Sequence, residues 1–168
     1  MGTGDFKLEI RPEWEQLGEV RRSLVSLLRG RGLRGDEVDA VAMVACELGE
    51  NAIKYGTVRG EEDRVSLAVS ISGPQLTIEV FNRIGSKDED NLVRLDRTVQ
   101  WIRGYHDPFE AWLQRLKELS SQPLDNNESR LGLVRIAYEG QAVLDFYVNE
   151  NDVLAVSAIH RLKGEEPK

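Results

Sequence analysis

In the run ELGENAIKYG, residues 47–56, a carboxylate, an amide and an ammonium recur at short spacing as Glu47, Asn51 and Lys54. Glu47 and Asn51 are four residues apart, so on a helix they share a face. At about 100° per residue, that face is the shoulder of an apolar stripe made by Val38, Val41, Ala45, Leu48 and Ala52. Val44 lies between the pair and the core, while Met43, Cys46 and Ile53 carry apolar surface round the other side. Such a pair is expected at the rim of a pocket, partly out of water. A carboxylate there has a raised pKa and can act as a base. An amide one turn on can ligate a hard cation through its oxygen, and Lys54 continues the line with a positive charge. The same spacing also fits a solvated helix edge, since Glu-x-x-x-Asn by itself carries little information.

The elements that must hold these residues can be read from periodicity. Phe6, Leu8 and Ile10 alternate and predict a strand over 6–11. After Pro12, the spacing of Trp14, Leu17, Val20, Leu24 and Leu27 predicts a helix over 13–28, ended by Gly30, Gly32 and Gly35. Asp36 can cap the second helix, which runs to about Tyr55 and stops at Gly56. The runs RVSLAVSI and QLTIEVFN each alternate apolar with small or polar residues, and the tight SGPQ between them predicts a hairpin. One apolar face and one polar face describe an antiparallel sheet covered on one side.

The segment from Gly85 to Glu128 begins and ends polar but holds two helical patterns, about 92–103 and 108–119. In the second, Asp107 caps, Pro108 opens the first turn and Glu110 follows, a strong start signal. The cluster Trp101, Tyr105, Phe109 and Trp112 reads as packing, with any exposed remainder as a protein-binding surface. A last helix over 130–138 and two strands over 142–148 and 153–160 close the chain. The order β-α-α-β-β-(αα)-α-β-β predicts an α+β fold, with helices on one face of a mainly antiparallel sheet.

The totals bound the function. A chain of 168 residues suits one domain with a substantial core. A net charge of −7 argues against broad nucleic-acid binding but leaves room for a small anionic ligand or a basic protein partner. No apolar run approaches the roughly 20 residues that span a membrane, and the N-terminus lacks the pattern of a secretory signal. The single cysteine, Cys46, excludes an internal disulfide and fits a reducing cytoplasm. His106 and His160 have no metal-ligand spacing.

Three stretches together resemble the motifs of the GHKL (Bergerat-fold) ATPases, and are most similar to those of the small bacterial anti-sigma-factor serine kinases. ELGENAIKYG is similar to the family's N-box, with Glu47, Asn51, Ala52 and Gly56 matching and Tyr55 in place of a histidine. VFNRIG resembles the adenine box. There Asn82 stands for an aspartate that reads the adenine amino group, Ile84 stands for a glycine, and Gly85 is out of register. SRLGLVRIAYEG resembles the glycine-rich turn whose helix N-terminus receives phosphate; Gly132 and Leu133 match, and Ser129 and Arg130 replace glycines. The element order matches as well, so the resemblance spans most of the chain.

The resemblance implies a two-layer α/β sandwich over 1–168, with a helical lid insertion at about 86–128. It implies Glu47 as base, Asn51 as magnesium ligand, and Lys54, Asn82, Arg130, Gly132 and Leu133 around bound ATP. It implies an anti-sigma-type regulator that phosphorylates or sequesters a partner, either an anti-anti-sigma (STAS) protein or a sigma factor. The length of the insertion and its own capping signals lead us to expect that about 92–119 carries partner specificity. A homodimer fits the same reading. The competing expectation is a non-catalytic partner-switching module of the same fold that has lost nucleotide at Asn82 and Ile84.

Overall fold

A computed structural model of the protein describes residues 6–56, 63–85, 88–121 and 131–163. Among these residues, five strands and five helices follow in the order β1 (Phe6–Ile10), α1 (Gln16–Gly30), α2 (Asp36–Tyr55), β2 (Val65–Ser72), β3 (Gln75–Arg83), α3 (Glu89–Arg103), α4 (Pro108–Ser120), α5 (Leu131–Tyr138), β4 (Ala142–Val148) and β5 (Val153–Arg161). The fold is α+β, a helical layer on an antiparallel five-stranded sheet of order β1-β2-β3-β5-β4.

Alternation along each strand decides which face is covered. In β3, Leu76, Ile78, Val80 and Asn82 are buried, while Thr77, Glu79 and Phe81 between them are only half-buried. Register carries the same face sideways: Leu67 pairs with Val80, Val80 with Val156, and Ala158 with Leu144. Against this apolar face lie Val38, Val41, Ala45 and Leu48 of α2 and Val134, Ile136 and Ala137 of α5. Burying each large side chain in such a layer is worth roughly 1.5–3 kcal/mol.

Local chemistry refines three boundaries. Glu13 to Glu15 form a turn, with Glu13 N–H donating to Arg11 O and Gln16 N–H to Glu13 O, so α1 starts later than 13. Trp14 therefore lies outside the helix and is 54% exposed, not part of the core stripe. At α2, Gly35 holds the N-cap position, and Asp36 stands in the first turn with Glu37 and Asp39, where negative charge faces the positive end of the helix dipole. At α4 the expected cap is present: the Asp107 carboxylate accepts from Phe109 N–H at 3.0 Å, and Pro108 opens the helix.

His160 is buried on β5 and ties the layers together. Its Nδ1–H donates to Gly140 O at 2.7 Å, and Nε2 lies 3.3 Å from Glu37 Oε1. Trp101, Tyr105 and Trp112 pack against the core, with Trp101 and Tyr105 edge to face at 4.9 Å, whereas Phe109 stays exposed beside Tyr138. No helix among the described residues is long and apolar enough to cross a membrane.

Candidate functional site

Helix α2 buries one stripe and leaves Glu47, Glu50 and Asn51 half-buried beside it. One turn beyond Asn51, Lys54 is exposed, its ammonium 5.2 Å from the Tyr55 ring centroid. The two groups that share a face thus have different surroundings. Asn51 lines a partly open cavity of about 320 Å³ between α2, the sheet and α3. Glu47 does not line it and turns instead towards α5.

The cavity joins stretches far apart in sequence. From α2 come Asn51, Ala52 and Tyr55; from the sheet, Val80, Asn82, Leu154 and Val156; from α5, Leu133. The floor is apolar, and the Asn51 and Asn82 amides add directed polar groups. The opposite wall is built by the helices between β3 and α5, with Asp88, Asn91, Leu95 and three arginines, Arg94, Arg97 and Arg115. This combination of size, apolar floor and few polar groups is typical of small-molecule sites, which run from roughly 300 to 1,000 Å³.

Asn82 is 7% exposed and reaches the cavity because β3 alternation turns it inward with Val80. Its Nδ2 donates to Arg83 O at 3.2 Å. Gly56 makes this position possible: a Cβ there would stand 2.7 Å from Asn82 Nδ2 and 2.5 Å from Ala52 O. The end of α2 therefore presses directly on the Asn82 amide. Ile84 is buried and lines the same cavity, held by its own N–H donating to Asp152 O at 2.9 Å. Just beyond, at the start of α3, the buried Asp88 carboxylate accepts from Gly85 N–H at 2.7 Å.

Glu47 meets a partner that sequence reasoning missed. Arg135, 88 residues away on α5, donates from Nη1 to Glu47 Oε1 at 3.1 Å, while its Nε donates to Glu139 Oε2 at 2.7 Å. Gly132, one turn before Arg135, is pressed against the same carboxylate: a Cβ there would come within 2.6 Å of Glu47 Oε2. Gly132 thus contributes space for Glu47 and does not line the cavity, while Leu133 does. Arg130 lies outside the described residues. The available signal for Arg135 was Glu139, four residues on and just past the end of α5; nothing local pointed it at α2.

Burial pushes the Glu47 carboxyl above its ordinary value of 4.5; repulsion from Glu50 adds to the rise, and the Arg135 hydrogen bond and charge oppose it. The Glu47 side chain is 16% exposed. A carboxyl whose folded pKa is raised stabilises the fold below its unfolded pKa and loses that contribution as pH rises through the folded value. Glu47→Gln is therefore expected to melt higher than the parent at pH 7, with the gap closing as pH falls towards 4.5. Thermal melts at the two pH values check this, and a gap that widens on acidification would show that pairing with Arg135 outweighs burial.

Comparison with known proteins bears on the fold and the family. Residues 10–105, more than half of the chain, match the family described as histidine kinase-like ATPase domain. That stretch carries α1, α2, the β2–β3 hairpin and α3, and so three sides of the cavity. A chain in the crystal structure of the SiaB–SiaC complex from Pseudomonas aeruginosa is similar in fold, with a TM-score of 0.69 and 18% identity over 92% of this chain and 88% of that one. No curated protein matches. Because the family match covers more than half of the chain, the chain belongs to the histidine kinase-like ATPase domain family.

Proposed function

We propose that the cavity beneath α3 holds ATP with magnesium, and that the protein is a regulator of the anti-sigma-factor serine kinase type, acting on a protein partner by phosphorylating or sequestering it. The observation that supports this most is convergence: Asn51, Asn82, Ile84 and Leu133, from three separate motifs, line one cavity of about 320 Å³. The apolar floor suits a planar base, and the amides and arginines suit the polar remainder. Asn51 would hold magnesium through its side-chain oxygen, and the metal would offset phosphate charge there.

Glu47 stands one turn from Asn51, at the end of the site nearest α5. With its proton affinity raised by burial, it is suited to receive the proton of a partner's serine hydroxyl. Arg135 competes for that carboxylate, so the base works only once the ion pair loosens. A protein partner is in keeping with the similar SiaB–SiaC structure, which is itself a complex.

A second reading keeps the partner and drops the chemistry. Its support is the pair of features that oppose catalysis: Arg135 on Glu47, and the buried Ile84 side chain in the cavity. The protein would then switch partners without nucleotide. Calorimetric titration of the chain with ATP, with and without magnesium, separates the two. Saturable binding that magnesium strengthens is expected. A folded protein that binds no ATP under either condition would remove the first reading and leave the second.

A further inference from the structure

The chain is acidic overall, yet the α3–α4 wall of the cavity carries Arg94, Arg97 and Arg115. Arg115 is the most enclosed of them, its side chain 12% exposed. Phe109 and Trp112 of α4 stack against Tyr138 of α5, at 5.3 and 5.8 Å, and this packing brings Arg115, one turn further on, to the cavity wall. Its guanidinium lies 4.6 Å from the Trp101 ring centroid, and Nη1 donates to Glu118 Oε2 at 3.1 Å. Its Nε is enclosed and has no hydrogen-bond partner among the described residues.

An enclosed donor without an acceptor costs stability, and a charged one more than most. The neighbours of Arg115 satisfy it only in part: an aromatic face and one carboxylate on its own helix. A planar guanidinium held this way beside a ligand-sized cavity is suited to paired hydrogen bonds with a phosphoryl group.

We infer that Arg115 binds the phosphoryl end of the ligand, so that α4 supplies an anion site on the wall facing α2. This rests on the nucleotide reading and extends it to a residue beyond the family-matched stretch 10–105. When the phosphoryl group enters, the guanidinium turns from Glu118 and Trp101 towards the cavity and its unmet donor gains an acceptor. Arg94 and Arg97 add charge along the same wall.

The test is calorimetric titration of the full chain with three probes, ATP, adenosine and tripolyphosphate, in the parent, Arg115→Met and Arg115→Lys. Methionine keeps an unbranched chain against Trp101 and removes the unmet donor. Arg115→Met is expected to weaken ATP by about ten- to a hundredfold, the usual value of a hydrogen bond to a charged group, and to leave adenosine unchanged. Its melting temperature should equal or exceed the parent's, whereas a purely structural arginine would lower it. Arg115→Lys keeps the charge without the planar fork and should weaken ATP several-fold. Equal loss of ATP and adenosine, or no loss of ATP, in Arg115→Met overturns the inference and leaves the nucleotide reading standing. If that variant does not fold, ATP affinity unchanged in Arg115→Lys overturns it instead. A parent that binds tripolyphosphate through Arg115 but neither ATP nor adenosine supports the anion site and removes the nucleotide. A parent that binds adenosine but not ATP overturns the anion site alone, and one that binds none of the three overturns both.

Discussion

Asn82→Asp is expected to bind ATP about tenfold more tightly than the parent and to melt at a lower temperature. The two effects have separate causes. A carboxylate that accepts from an amino group makes a charge-assisted bond, worth about 1.5–3 kcal/mol against about 0.5–1.5 kcal/mol for a neutral amide. A gain of about 1.4 kcal/mol is one decade in affinity. The same change removes a donor, because Asn82 Nδ2 donates to Arg83 O and lies close against Gly56. At 7% exposure, the new carboxylate loses that bond and is left buried beside backbone carbonyls, at a cost above the roughly 1–3 kcal/mol of a neutral unsatisfied group. Calorimetry for ATP and a thermal melt check both. A folded variant with unchanged ATP affinity would show that the base is not read at position 82. Adding Ile84→Gly opens more space but empties a buried site, and it is expected to cost a further 2–5 kcal/mol or so. The single substitution is the sharper experiment.

Asn51→Ala is expected to weaken magnesium-dependent ATP binding by about ten- to a hundredfold, the value of losing one strong bond to a charged group. Adenosine affinity should not move, because the floor of the cavity is untouched. Stability should change little: Asn51 is half-buried on the cavity side of α2, beside Leu48 and Ala52 of the core but not among them, and alanine favours a helix. Titrations with and without magnesium, in parent and variant, read the effect directly. If magnesium strengthens ATP binding equally in both, Asn51 does not hold the metal. The contrast with Glu47→Gln is informative, since that change acts on the opposite end of the site and is expected to alter the pH dependence of melting.

Much of the fold was legible because its signals are local. Alternation at period two marked the strands, and the apolar stripe of α2 marked the longest helix; both follow from backbone geometry that neighbours along the chain impose. In the structure the same alternation runs one step further and turns Asn82 inward after Leu76, Ile78 and Val80. Where a local signal was ambiguous, the reading slipped: Trp14 has the spacing of the α1 stripe, but the turn after Pro12 leaves it outside the helix.

By itself, then, the sequence determined the order of elements, the covered face of the sheet, and the presence of Glu47 and Asn51 on one shoulder of α2. Only the tertiary structure decided how those two groups divide. Asn51 lines the cavity, while Glu47 pairs with Arg135 across 88 positions and presses on Gly132. It also decided that Asp88 and Arg115 belong to the same cavity as Asn82, and that Gly56 packs on that asparagine. The physical reason is range. Periodicity is set by residues two to four apart, whereas the meeting of α2 with α5, or of α4 with the cavity, depends on how whole helices pack on the sheet.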